Sequence, residues 1–357
     1  MRKRERKTGK EETLSRAFSS RLRALRPDCL TPSLSHSLTS SLHHSHGSVL
    51  VYVVWIVVLL SLFAVGVGSR TMAALSLSER LMEQLRATAV AHGAVEYARA
   101  VIAEDATPGA DGLQEWLDRS DQFRDHALLG GTVSIRPGAA ISGEVYGFSD
   151  EEQRINLNTA PAVIPEPLFR ILGGLGQQDA SEVVAAIEDW RDADDDERPF
   201  GAENYYYGSL THAYACKNGP FENLEELLLV RGVTPALYAQ VEPYVTVYGA
   251  GQINLNTAPP GVLQVLGLSA EGIAGLESFR TGDQRLTSVL GIESDLKAHL
   301  PVKDLAHLLA LAQKHLLAVR STAFRMTITA RTEWSPHPMH LSCILDRAGA
   351  VKLWSER

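Results

Sequence analysis

The densest group of side chains that could bind a metal lies in residues 190–207, WRDADDDERPFGAENYYY. Asp192, Asp194 and Asp196 alternate along the chain, and Glu203 is twelfth when Asp192 is counted as first. This reproduces the ligand spacing of a calcium-binding loop, in which carboxylate oxygens surround one hard cation. The spacing therefore predicts a calcium site in this stretch, which we call the acidic loop.

The acidic loop is not an EF-hand, because Glu197 occupies the sixth position, where the tight turn requires glycine. Oxygen ligands without a nearby cysteine or histidine favour calcium over zinc. The alternative is a loop that binds only water. Crowded carboxylates repel one another unless a cation compensates their charge, and this repulsion favours the cation site.

The sequence contains no nucleophile elbow, no HExxH helix and no Walker loop. We therefore expect no enzymatic activity. A metal hydrolase built on the acidic loop is the enzymatic alternative, but no nucleophile or general base stands beside the loop to support it.

The charge is divided unevenly along the chain. Residues 1–46 carry ten Lys and Arg against four acids, or +6, while the whole chain carries −8, so residues 47–357 carry −14. An acidic body repels the phosphate backbone of nucleic acids. We therefore expect no nucleic-acid partner.

Three cysteines, Cys29, Cys216 and Cys343, are too few and too scattered for a disulfide scaffold or a CxxC metal site. A bridge between Cys216 and Cys343 is one interpretation if that part of the chain is exported. A pair of inert buried thiols is at least as well supported.

A membrane-spanning helix is predicted for residues 49–68, VLVYVVWIVVLLSLFAVGVG, which are almost wholly apolar. At about 1.5 Å per residue this stretch spans roughly 30 Å, the thickness of the hydrocarbon layer of a bilayer. Residues 70–104 contain no proline and place apolar side chains at spacings of three and four, so the helix should continue as an amphipathic segment. The basic residues precede the span, which places the N-terminus in the cytoplasm and the residues beyond Arg70 outside.

Strands are predicted on both sides of a long helical region. Residues 132–148 are typical of two short strands around a Pro and Gly loop, and residues 323–332, 340–346 and 350–356 alternate as β-strands do. The sequence therefore predicts an α+β fold. In this fold an antiparallel sheet is divided by a large all-α insertion, residues 155–320.

The insertion contains the heptapeptide INLNTAP twice, at residues 155–161 and 253–259. Asn and Thr before Ala and Pro supply side-chain caps and a first helical turn that tolerates proline, so each copy should start a helix. Residues 172–176 and 229–234 resemble the turns of helix-hairpin-helix motifs, which predicts two helix-hairpin-helix or SAM-like lobes. Because such hairpins often bind DNA phosphates, a membrane-anchored protein for DNA binding or uptake is the alternative function.

The long helix and the residues before it resemble the N-terminus of type IV pilins and pseudopilins. Gly47 followed by Ser48 is similar to the site of the prepilin peptidase, which on this resemblance removes the basic leader and leaves Ser48 as a methylated N-terminus. Tyr52 is then the fifth mature residue, where most pilins carry a glutamate. The leader departs from the family in its length and in having His46 before the glycine.

From about Gly47 onward the combination of long helix, split sheet, repeat, acidic loop, ELLLVRGVTPALY and terminal LWSE resembles the K subunits of type II secretion. The resemblance implies a minor pseudopilin at the tip of the periplasmic pseudopilus, in complex with the I and J minor pseudopilins. It implies a single inner-membrane span with the C-terminal domain in the periplasm. It also implies a structural calcium ion, with the candidate ligands Asp192, Asp194, Asp195, Asp196, Glu203 and Asn204.

The predicted organisation has five parts. A cleaved leader (1–47) precedes the transmembrane half of the helix (48–69). The periplasmic half of the helix and the first strands follow (70–154), packed in pilin-like fashion. The all-α insertion (155–320) then precedes the closing strands (321–357).

Overall fold

A computed structural model describes residues 47–104, 111–112, 116–117, 119–138, 144–281, 284–333, 335 and 337–356. Of the predicted leader, only Gly47 lies within the described residues. The chain divides after Arg70 into two units, Met1–Arg70 and Thr71–Arg357.

Helix α1 runs from Gly47 to Ala103, as the proline-free sequence predicted. In the described part of the chain it is the one helix long and apolar enough to cross a membrane, by length and composition. Its apolar side chains from Val49 to Val67 are exposed, whereas Val90, Ala91 and Ala94 in its second half are buried. The first half of α1 therefore lacks the packing that the second half has.

The described residues form ten strands in chain order. They are β1 (His126–Leu128), β2 (Gly131–Pro137), β3 (Ser149–Asp150), β4 (Ile155–Asn156), β5 (Val245–Thr246), β6 (Ile253–Asn254), β7 (Leu317–Ala318), β8 (Ala323–Thr332), β9 (Met339–Asp346) and β10 (Val351–Glu356). Six of them make one antiparallel sheet in the order β1-β2-β8-β9-β10, with β3 also paired to β8. The predicted split sheet is confirmed, because β2 and β3 precede the insertion and β8 follows it.

One face of this sheet packs on the second half of α1. Ile135, Ile328 and Leu341 are cross-strand neighbours on β2, β8 and β9, and all three are fully buried. They share a core with Ala94 and Ala98 of α1. Alternate residues of a strand face opposite sides, so the regular alternation of β8 buries one face and leaves the other for different contacts.

The sequence prediction for residues 132–148 is half correct. Strand β2 lies where the first strand was expected, but its hairpin partner is β1, which the sequence did not reveal. Leu129 and Gly130 connect them with positive φ angles of 51° and 77°. A two-residue hairpin turn needs positive φ at both positions, and leucine is not the residue that normally signals it. Residues 144–148 form no strand.

The remaining helices follow in chain order. They are α2 (Ser120–Phe123), α3 (Pro165–Ile171), α4 (Gln177–Arg191), α5 (Asn204–Gly208), α6 (Pro235–Val241), α7 (Pro260–Val265), α8 (Ala270–Thr281), α9 (Ile292–Leu296) and α10 (Val302–Gln313). Short 3-10 helices cover Leu224–Leu229, Glu242–Tyr244 and Val289–Gly291. The predicted helical insertion is confirmed, and all the helices from α3 onward belong to it.

Each copy of INLNTAP begins a lobe, but not by capping a helix. Its first two residues form a short strand, β4 or β6, that pairs in parallel with β5 or β7 at the end of the same lobe. The N-caps of α3 and α7 are Ile164 and Pro259, and neither helix has a side-chain cap. The predicted side-chain caps are therefore wrong, because the asparagine side chains are used elsewhere. The predicted helix start holds for the second copy, since α7 begins directly after it at Pro260.

The second asparagine of each copy ties together distant segments of its lobe. Asn158 donates to the carbonyls of Phe221 and Val247 at 3.0 and 3.1 Å and accepts from the Phe221 N–H at 2.8 Å. Asn256 makes the equivalent contacts with Leu286 and Val319. The repeated sequence therefore repeats a hydrogen-bond pattern.

An arginine from the second helix of each lobe closes this pattern. Arg191 at the end of α4 donates to the carbonyls of Leu157 and Ala160. Arg280 in α8 donates to the equivalent carbonyls of Leu255 and Ala258. The two lobes therefore share more than their seven identical residues.

A buried charged cluster joins the sheet to the insertion within residues 71–357. Glu151 follows β3, has no exposed surface, and contacts Arg154 at 3.0 Å and Arg325 of β8 at 2.5 Å. The adjacent Asp150 accepts from Asn254 and Thr257 of the second repeat. Burial, together with the charge of Glu152, raises the pKa of Asp150 well above its ordinary value.

Cys216 and Cys343 are free thiols. Cys216 packs in the core of the insertion, whereas Cys343 packs between the sheet and α1. Burial raises the pKa of Cys343 to about 12 and that of Cys216 to about 11. The interpretation as two inert buried thiols is therefore the correct one of the two, because separate cores keep the sulfurs apart.

Candidate functional site

The acidic loop connects α4 to α5 on the surface of the first lobe. Helix α4 ends at Arg191, and Glu203 is the N-cap of α5, where its carboxylate accepts from the Asn204 N–H at 3.2 Å. Gly201 approaches Asp189 so closely that an added Cβ would lie 1.9 Å from its Oδ2. The loop is therefore held at both ends and has room only for glycine at position 201.

The alternating aspartates do not converge as their spacing predicted. The carboxylate of Asp192 pairs with Arg198. Asp194 Oδ1 accepts from the backbone N–H of Asp196 at 3.0 Å, and the Asp196 side chain is exposed. Among the described residues no group of three or more His, Cys, Asp and Glu side chains is arranged to hold a metal. Carboxylates alone therefore do not form a cage here.

A different set of polar groups meets in the loop. Asp195 Oδ1 accepts from Asn204 Nδ2 at 2.6 Å and from Asn218 Nδ2 at 2.8 Å. Asn218 also donates to the Asp194 carbonyl at 3.0 Å. The structure thus brings the two substitute candidates, Asp195 and Asn204, together with Asn218. Asn218 was not among the predicted ligands, because it lies well outside the spacing window that begins at Asp192.

Three buried oxygens in this region have no hydrogen-bond partner within the described structure. They are Asp192 Oδ1, Glu203 Oε1 and Asn218 Oδ1. Burial raises the pKa of Glu203, and the charges of Asp189 and Asp192 act in the same direction. Calcium accepts carboxylate, amide and backbone carbonyl oxygens, so this mixed donor set fits the cation better than the evenly spaced aspartates do.

Arg198 supplies part of the positive charge that the acidic loop needs. Its guanidinium contacts Asp189 at 2.8 Å, Glu188 at 3.4 Å and Asp192. Asp189 is fully buried at this contact. The repulsion between carboxylates is therefore relieved partly from within the chain, and repulsion alone is a weaker argument for a bound cation than the sequence suggested.

The predicted processing site lies at the start of α1. Gly47 is the first residue of the helix and Ser48 the second. Tyr52 is exposed on the following turn. The geometry places the predicted cleavage point directly before the apolar segment.

Residues 153–250, the first lobe with the acidic loop, match the family model described as Type II secretion system (T2SS), protein K. A Type II secretion system protein K of Klebsiella pneumoniae is 29% identical over 238 residues, which make up 61% of this chain and 68% of that protein. The resemblance to the K family is therefore confirmed. A K protein of Pectobacterium carotovorum is 28% identical over 59% of this chain and 66% of its own length.

The fold comparison extends beyond the sequence matches. The GspK-GspI-GspJ complex of enterotoxigenic Escherichia coli matches with a TM-score of 0.58 over 80% of this chain and 99% of the matched chain. The identity is 16%, so this likeness shows the shared fold: a long helix, an antiparallel sheet and a helical insertion. Together with the K-family sequences it supports a minor pseudopilin of type II secretion.

Proposed function

We propose that this chain is the tip subunit of the pseudopilus and that it initiates or caps assembly with the I and J minor pseudopilins. The observation that carries the proposal is the shared fold with a complex of K, I and J proteins, in which nearly the whole matched chain is covered. The role is structural. An antiparallel sheet with a helical insertion, carried on an apolar helix, is sufficient for such a role, and no catalytic group is needed.

The helix and the insertion support a position at one end of a fibre. The apolar side chains of α1 between Val49 and Val67 are exposed, as a segment in contact with lipid requires. After assembly the same side chains would pack against the helices of neighbouring subunits. The insertion between β3 and β8 adds two lobes to a small sheet, too bulky for another subunit to stack above it. A subunit with nothing above it needs no glutamate at Tyr52 to meet the next N-terminal amine.

Processing and location follow from the same proposal. Prepilin peptidase would cut after Gly47 and leave Ser48 as the methylated N-terminus. The chain would remain in the inner membrane through one span, with residues beyond Arg70 in the periplasm. The charge-free apolar run and the basic residues before it support this orientation.

Complex formation tests the proposal most directly. Residues 71–357 form one unit, so we expect this part to elute in gel filtration as a single ternary complex with the soluble parts of the I and J proteins of the same bacterium. The soluble part of the major pseudopilin serves as the control and should remain separate. Separate elution of all three proteins, or a tagged subunit found evenly along the filament shaft, would contradict the tip position.

We also propose that calcium binds in the acidic loop. Asp195, Asn218 and Glu203 would hold it, together with the remaining oxygen of Asp192. Asn204, a candidate from the sequence, would not be a direct ligand in this arrangement, because its amide oxygen accepts from the Cys216 N–H at 2.8 Å. The cation would supply positive charge to oxygens that have no donor within the described residues. Bound calcium would tie the loop to the segment around Asn218 and so hold the surface of the first lobe rigid.

Thermal unfolding in calcium and in EGTA tests the ion. At a calcium concentration near a hundred times Kd, linkage predicts about 2.7 kcal/mol of stabilisation and a rise in Tm of roughly 5 °C. Asp195→Asn should remove most of this difference, because it takes away a charged ligand. Glu271→Gln, an exposed carboxylate on the second lobe, should keep it. Equal Tm values in calcium and EGTA for the unchanged protein would end the calcium proposal without affecting the tip proposal.

A further inference from the structure

A groove of about 670 Å³ lies between the outer face of the sheet and the wall of the insertion. Both sides belong to the same unit, Thr71–Arg357. None of its lining residues belongs to the acidic loop or to α1, and neither the tip position nor calcium accounts for it.

The floor of the groove is a row of hydroxyl groups. Thr327 of β8 is the cross-strand neighbour of Ser342 on β9, and Ser342 is the neighbour of Ser355 on β10. All three line the groove. Neighbouring strands lie about 4.8 Å apart, so the row extends roughly 10 Å, the length that about three residues of an extended chain cover.

The groove opens at the edge of the sheet. Strand β10 is the last strand in the order of the described sheet, and three consecutive residues, Leu353, Trp354 and Ser355, border the groove. Consecutive side chains of a strand point to opposite faces, so the groove reaches the strand backbone itself. An extended segment can therefore enter from this edge.

The wall carries two carboxylates with no ion pair. Glu225 and Glu242 line the groove, and neither has a hydrogen bond or salt bridge from its side chain in the described part of the chain. Arg325 also lines the groove, and its guanidinium makes two bonds to the buried Glu151. Glu151 is shared with Arg154, so the charge of Arg325 is only partly neutralised and also acts on Glu242. His340, the other basic side chain at the groove, contacts Thr329 at 3.2 Å. The lining of the groove therefore carries two carboxylates against one guanidinium, an excess of one negative charge.

Tyrosine rings complete the wall. Tyr238 and Tyr248 line it beside the two carboxylates. Burial raises the pKa of Tyr238 to about 12, and the charges of Glu225 and Glu242 act in the same direction. Aromatic faces next to carboxylates attract cations, and the stem of a lysine or arginine covers apolar ring surface while its charged end stays polar.

We propose that this groove binds an extended segment of a partner protein and that a lysine or arginine of this segment lies between Glu225 and Glu242. The charge of the groove determines which side chain is accepted, because its two carboxylates outnumber its one arginine and so favour a cation and repel an acid. The row of hydroxyls can donate to and accept from the backbone of the segment. The inference does not depend on which proteins form the pseudopilus tip.

Peptide binding to residues 71–357 tests this, with a five-residue peptide of alternating lysine and threonine as the probe. We expect calorimetry to show weaker binding by about tenfold in the double variant Glu225→Gln/Glu242→Gln. The matched variant Glu271→Gln/Glu293→Gln removes two exposed carboxylates from the second lobe and should bind within about twofold of the unchanged protein. The same peptide with glutamate in place of lysine should not bind.

A second variant locates the binding independently of charge. Ser342→Trp fills the middle of the floor and should abolish binding, with an unchanged Tm showing that the sheet is intact. Equal loss of affinity in both double variants would mean that only net charge matters, and would overturn the proposal. So would spermidine binding as tightly as the peptide, because a small cation would then be sufficient, and so would an absence of peptide binding to the unchanged protein.

Discussion

Replacing Glu151 with glutamine is expected to lower the free energy of unfolding of residues 71–357 by about 3–5 kcal/mol. Glu151 is fully buried and is the shared partner of Arg154 and Arg325. Arg154 is itself almost completely buried, so removing the carboxylate charge leaves a buried cation uncompensated. Urea denaturation followed by circular dichroism measures the loss.

The pH dependence of the same variant gives an independent check. Burial alone would raise the pKa of Glu151, but Arg154 and Arg325 outweigh it and hold the pKa below its ordinary value. A carboxylate with a lowered folded-state pKa stabilises the protein above its unfolded-state pKa. The difference in free energy of unfolding between the unchanged protein and Glu151→Gln should therefore become smaller as pH falls from about 4.3 through the lower pKa of folded-state Glu151.

A surface ion pair provides the control for Glu151. Glu144 lies 3.5 Å from Arg124, and both side chains are more than half exposed. Glu144→Gln should cost less than about 1 kcal/mol, because water screens the pair. If both glutamine variants were equally stable, the buried cluster would not be what joins the sheet to the insertion.

Replacing Asn256 with alanine is expected to cost about 2–4 kcal/mol, because one N–H and two carbonyl groups lose their partner in a buried site. Asn158 makes the same three bonds in the first lobe but is only half-buried. Water can replace part of the hydrogen bonds that Asn158→Ala removes. This matched variant should therefore lower the free energy of unfolding by about half as much as Asn256→Ala. Denaturation curves of residues 71–357 measure both losses in free energy of unfolding.

Two outcomes would contradict this account of the repeat. Equal costs for Asn158→Ala and Asn256→Ala would show that burial does not set the size of the effect. A cost near zero for both would show that the shared hydrogen-bond pattern is not what keeps INLNTAP the same in the two lobes.

Long periodic segments were predictable from the sequence because their pattern depends on local geometry. The strands 323–332, 340–346 and 350–356 were placed within one residue of β8, β9 and β10. Alternation of apolar and polar residues identifies a strand that buries one face. Strand β1 has only three residues and a leucine in its turn, so neither alternation nor turn composition revealed it.

The acidic loop shows the limit of spacing arguments. Counting from Asp192 to Glu203 suggested four ligands around one cation, yet Asp192 pairs with Arg198 and Asp194 binds its own backbone. The polar groups that do meet include Asn218, which is distant in sequence. Calcium itself stays a prediction, with Asn218 added to the candidate ligands.

By itself the sequence determined the long apolar helix, the divided sheet, the doubled lobe and the resemblance to the K family. These features depend on runs and repeats of neighbouring residues. The local geometry of a helix or a strand is enough to relate such a pattern to a structure. Only the tertiary structure decided which carboxylates are neutralised by arginine, which asparagines hold the lobes together, and that a negatively charged groove lies between sheet and insertion. Those features depend on residues far apart in the chain, and only folding around a common core brings them together.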